Sequence, residues 1–132
     1  MSAETEGGAF AAGDAAPGNP EDGATWANSA RDLADVSAVE LITTVSVHLL
    51  SAAALRCGLA EDGDEYTDLD EARTIINALA GLVTASAPDL GNTHARALRD
   101  GLRSVQLAFR EASIIPDAPG EGPGEKYTGA VS

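Results

Sequence analysis

Between Val36 and Ile115 the aliphatic residues recur every three or four positions, the spacing that lines up one side of a helix. No alternation with a period of two persists, so strands are not expected. Three segments carry the helical period. In the first, Ser37 as N-cap and Glu40 three residues on form a capping box, with Val36 and Leu41 at the flanking apolar positions. Gly58 in the left-handed conformation, with Leu59 folded back, should close it, giving a helix over about 38–57. In the second, Asp68 and Glu71 form another box and Pro88 is expected to stop the helix, giving about 69–87. The third begins near Asn92 or Thr93 and spans about 93–112, with Ala95, Leu98, Leu102, Val105, Phe109 and Ala112 as its stripe. The predicted fold class is all-α: a three-helix antiparallel bundle or hairpin-type domain over residues 33–115.

The first helix breaks the usual rule. From Leu41 to Leu55 it has no charged residue, and its apolar side chains cover an arc of about 240°. Such a stretch falls short of the ~20 residues a bilayer needs, and Thr43, Thr44, Ser46, His48 and Ser51 dilute it further. No membrane span is expected. The second helix has an ordinary stripe of Leu69, Ala72, Ile76, Leu79 and Val83, widened by Ile75 and Leu82. Two such helices cannot cover the whole arc, and a core of this size supplies only ~3–5 kcal/mol. A second copy is therefore expected to bury the remainder, with Leu41, Ile42, Val45, Leu49 and Leu50 as the candidate dimer interface. A monomer whose tails or 59–67 loop cover the gap is the alternative.

Charge narrows the functions. The chain has 132 residues, with 21 acidic and 8 basic side chains for a net charge of −13. That balance opposes general binding to DNA and to anionic membranes. The lone Cys57 excludes an internal disulfide and suits a reducing compartment. The first residues have neither a basic start nor an apolar run, so no signal peptide is read and the cytoplasm is the expected location. Residues 1–32 are Ala, Gly, Pro and acid around Phe10 and Trp26, and residues 116–132 are similarly poor. Both ends are expected to be disordered tails.

Little in the chain points to catalysis. His48, His94 and Cys57 cannot assemble a metal set, and no acid is spaced to orient His48. Cys57 lies at the negative end of its helix, which disfavours the thiolate. The acidic run "EDGDEYTDLDE" fails the calcium-loop pattern, since Thr67 stands where a glycine is needed and Arg73 where a glutamate is needed. "GEGPGEK" has the wrong spacing for a phosphate loop, and no helix is expected after it. No catalytic residue, cofactor or metal is assigned, and an enzyme is not expected.

One constellation suits docking. Arg96, Arg99, Arg103 and Arg110 fall within about 60° of one another on the third helix. A cationic ridge on an acidic protein can receive carboxylates or RNA phosphates, although Arg96–Asp100 and Asp100–Arg103 are also ordinary helix-surface pairs. Lys126 and Tyr127, in "GEKYTGAV", could form a short linear ligand for a partner.

The run from "DLADVSAVELITTVSVHLLSAAALRCGLA" through "DLDEARTIINALAGLVTASAPDLGNTHARALRDGLRSVQLAFREAS" resembles the bacterial domain-of-unknown-function family 1844. The ending "GEGPGEKYTGAV" is similar to that of its actinobacterial members, so the resemblance covers about residues 32–131. It implies a small cytosolic helical protein with no assigned activity. It also brings an association of actinobacterial members with neighbouring genes for a translation initiation factor and ribosomal proteins. The expected function is a non-enzymatic interaction or regulatory protein acting as a homodimer with a further protein partner. The alternative is a translation-associated factor contacting ribosomal RNA or a ribosomal protein through the third-helix arginines.

Overall fold

The computed structural model describes residues 30, 32–61 and 63–132. The expected disordered stretch 1–32 lies outside them, apart from Ala30 and Asp32. The described residues before Ala38 belong to one unit, in which Asp35 and Val36 N–H close short turns onto Asp32 and Leu33 carbonyls. The second unit, Ala38–Ser132, is helical and has no strand among the described residues. Its elements are α1 (Ala38–Arg56), a 3₁₀ turn (Gly63–Tyr66), α2 (Leu69–Leu90), α3 (Asn92–Ala112) and α4 (Glu125–Thr128).

The ends of α1 and α2 follow from local chemistry. Gly58 has φ +88°, Gly58 N–H reaches Leu55 O at 3.1 Å, and Leu59 N–H reaches Ala54 O at 3.0 Å. This is the Schellman closure, and a side chain at Gly58 would also strike Thr67 Oγ1. Asp68 caps α2 by accepting from Glu71 N–H at 3.1 Å. Its own N–H, however, donates to Arg56 O at 2.8 Å, so the end of α1 is tied directly to the start of α2. Pro88 does not stop α2. It stands exposed in the last turn, where its missing N–H costs a single helix bond, while Leu90 two residues later is buried and holds the turn in place.

The core gathers Ala53 and Cys57, Ala72, Ile76, Leu79, Ala80, Val83 and Leu90 of α2, and Leu98, Leu102, Val105 and Phe109 of α3. α1, α2 and α3 each pack against the other two, and α4 packs on α2. Gly101 makes room for α1: a Cβ there would lie 2.8 Å from Leu50 Cδ1. Of all the residues of α1, only Ser46 and Ala53 are fully buried.

Residues 116–132 correct the expectation of a disordered tail. They fold back along α2 and α3, pinned at several points. Gly124 N–H donates to Asn77 Oδ1 at 2.7 Å, and Gln106 Nε2 donates to Pro123 O and Thr128 Oγ1, both at 3.1 Å. The Glu125 carboxyl is buried, yet it accepts from Gly122 N–H at 2.9 Å and Val131 N–H at 3.0 Å, so its burial leaves both acceptors satisfied. Gly124 has φ +76°, and a Cβ there would lie 2.9 Å from Ala80 Cβ and 3.0 Å from Gln106 Nε2. Only glycine fits that position. Paucity of apolar side chains misled the sequence reading, because this segment is ordered chiefly by hydrogen bonds and close backbone approach.

Candidate functional site

α1 carries the first surface. Val39, Ile42, Leu49, Leu50 and Ala54 turn inward against the core. Three of the five candidate interface residues, Ile42, Leu49 and Leu50, are thereby occupied within the chain, because the core sits on their side of the helix. Leu41 and Val45 remain exposed, at 39% and 41%. They continue into exposed His48 and half-buried Ala52 and Leu55. These five positions follow steps of four, three, four and three, the spacing of a helix-pairing seam. Beyond the helix, Leu59 is 62% exposed. Val47 is exposed too, but on a different side of α1, which the spacing separates from the seam.

The second surface is the arginine side of α3. Arg96, Arg99, Arg103 and Arg110 are all exposed there. Two of them serve the folded-back segment: Arg103 Nη2 donates to Ser132 O at 2.7 Å, and Arg110 Nη1 donates to Asp117 O at 3.4 Å. Arg73 of α2 adds a second anchor, its Nη2 donating to both Asp117 carboxylate oxygens at 3.0 and 3.2 Å, while the guanidinium lies 4.9 Å from the Phe109 ring centre. Half of the ridge thus anchors the chain's own end. Arg99 and Arg103 meet Thr84, Leu102, Tyr127 and Val131 around an open groove of about 370 Å³. Arg96 and Arg110 do not line it. Lys126 stacks on neighbouring Tyr127, its Nζ 5.1 Å from the ring centre, and the ring lies 3.3 Å from the Cβ position at Gly81.

Gln106 escaped the sequence reading. It lies on α3 between the apolar stripe and the arginines, yet it is as buried as the core. Its position at that border was the available signal. The "GEGPGEK" glycines are followed by the single turn α4, contrary to expectation. The Gly122 and Gly124 amides are committed internally, to Glu125 and Asn77.

No group of three His, Cys, Asp or Glu side chains converges among the described residues. His48 and His94 are exposed and far apart in chain order, on α1 and α3. Cys57 is buried, and that burial pushes its thiol above the ordinary value, toward the unreactive protonated form. The acidic 61–71 run supplies Asp68 as a helix cap.

Comparison with protein families matches residues 38–111 to the family described as Domain of unknown function (DUF1844). The matched region takes in α1, α2 and nearly all of α3, and ends before the folded-back segment. No curated protein and no solved structure matches the chain.

Proposed function

The chain belongs to the DUF1844 family, and from that premise we propose that it is a non-enzymatic interaction protein working in the cytoplasm as a homodimer. In this reading α1, α2 and α3 form an antiparallel three-helix bundle, and the α1 seam pairs with the seam of a second copy. The observation that carries it is the uncharged strip of exposed Leu41, Val45 and His48 with half-buried Ala52 and Leu55, on a chain of net charge −13. Charged faces of two such molecules repel, whereas this strip can meet its own copy without opposing like charges.

By length and composition α1 is apolar enough to cross a membrane. The proposal favours pairing because the inward residues of α1 are already packed on α2 and α3, and a crossing would strip that core. Arg96 and Arg99, which hold none of the chain's own groups through described hydrogen bonds, are the proposed contacts for a carboxylate-bearing partner. An RNA contact has less support: Arg103 and Arg110 are engaged by the chain itself, which leaves few cations for phosphate.

Sedimentation equilibrium on the wild type and on Leu41→Glu/Val45→Glu tests the pairing. A wild-type dimer and a monomeric variant of equal helicity are expected. A wild type that stays monomeric at every concentration, or that floats with lipid vesicles, would overturn it.

A further inference from the structure

We infer that the face of α2 and α3 beneath residues 117–132 is a peptide-docking site on an already complete helical core, and that it takes this segment from a second copy as well as from its own chain. The inference goes beyond the α1 pairing reading and does not depend on it. The buried cluster joining α1, α2 and α3 includes no residue after Phe109. Val131 of the segment is buried, but outside that cluster. The segment therefore lies on a finished core as a ligand does.

What the face reads is mostly main chain. Asn77 Oδ1 accepts from Gly124 N–H at 2.7 Å, Gln106 Nε2 donates to Pro123 O at 3.1 Å, and Arg103 Nη2 donates to Ser132 O at 2.7 Å. Shape adds selectivity. Gly124 is seated so closely that a Cβ there would lie 2.9 Å from Ala80 Cβ, and the Tyr127 ring lies 3.3 Å from the Cβ position at Gly81. Main-chain bonds combined with slots for particular side chains are how peptide-docking faces recognise an extended partner. The ligand also holds its own shape. The Glu125 carboxylate accepts from Gly122 and Val131 N–H, and Gly129 N–H donates to Glu125 O at 2.8 Å. A segment closed on itself in this way loses little freedom when it docks.

The tether is separate from the docking. Ile114 and Ile115 follow the end of α3 at 98% and 86% exposure, and Pro116 is exposed after them. They supply proximity with almost no packing. Each bond of the face forms equally well with the segment of another copy. A short tether gives an effective concentration on the order of 1 mM. A dilute chain thus holds its own segment, and a neighbour's segment competes as its local concentration approaches that value. Reciprocal exchange closes a dimer.

Two full-length chains test the exchange, both carrying Leu41→Glu/Val45→Glu to disable the α1 seam. Gly124→Val spoils the segment and leaves the face intact, whereas Gly81→Leu fills the face under Tyr127 and leaves the segment intact. Sedimentation equilibrium should find each chain monomeric alone and a one-to-one pair in the mixture. A labelled synthetic peptide of residues 117–132 should bind the Gly124→Val chain saturably, and the same peptide carrying Gly124→Val at least about tenfold more weakly. That arm decides even if Gly81→Leu fails to fold. Chains of native helicity that neither pair nor take up the peptide would overturn the inference. Peptide uptake without pairing would overturn exchange between copies. Loss of helicity in the Gly124→Val chain would make the segment part of the fold and overturn its role as a ligand.

Discussion

α1 and the folded-back segment 116–132 invert the usual relation between composition and order. α1 is the most apolar stretch of the chain, yet just two of its residues are fully buried. The Gly-Pro segment has Pro123, Tyr127 and Val131 as its main apolar groups, yet it buries Pro123, Gly124, Glu125 and Val131. The difference lies in what each finds opposite. α1 has two neighbours that cover one side. The segment meets Asn77, which accepts from the Gly124 amide, Gln106, which donates to the Pro123 carbonyl, Arg73, which holds the Asp117 carboxylate, and the small residues Ala80 and Gly81, which let it approach closely. Paired polar groups with close backbone approach order a segment that apolar content alone would leave loose.

The strongest way to break the contrast is at Gly124. Gly124→Val adds a side chain where φ is positive and where Ala80 and Gln106 leave no space. A loss of about 3–4 kcal/mol is expected in urea unfolding, with new protease cleavage after residue 113. Gln106→Ala should cost about 2 kcal/mol in the same assay, since the buried Pro123 carbonyl and the Thr128 hydroxyl lose their donor. Unchanged stability would mean that the segment is not held by those bonds.

A change of opposite sign sharpens the α1 side. Ser46 is fully buried and its hydroxyl has no hydrogen-bond partner. Ser46→Ala should stabilise the fold by about 1 kcal/mol, read as a higher denaturation midpoint with the same slope. The smallest effect is predicted on the seam. Val45→Lys, measured at concentrations low enough to separate any pair, should change stability by less than ~0.5 kcal/mol. A charge placed on the apolar helix would then matter far less than an isopropyl group placed on the glycine-rich segment.

The three long helices were legible because their signals are local. Capping at Asp68, the Gly58 closure and the three-four spacing each act within one or two turns, so neighbouring residues suffice to read them. α2 outran its expected end because Leu90 gains burial from across the fold, which no local rule sees. The exposed side of α1 was half legible. The sequence showed that α1 has too much apolar surface, but assigning Ile42, Leu49 and Leu50 to the core and Leu41 and Val45 to solvent requires knowing where α2 and α3 lie. The arginine ridge was visible as a stripe. Its partial use by Ser132 and Asp117 carbonyls was not, because those groups lie far along the chain and belong to every residue type alike.

The bond from Asp68 N–H to the Arg56 carbonyl has a practical consequence. It clasps the base of the 57–67 loop, so the two helices are registered against each other without help from the loop's tip. Loop-closure entropy grows only slowly with length, by about 0.6 kcal/mol per doubling. The exposed turn near Glu61 is therefore a permissive site for insertion. A peptide tag or a fluorescent reporter placed there would leave both the α1 seam and the α3 arginines untouched, which makes it the natural point at which to label this protein in a living cell.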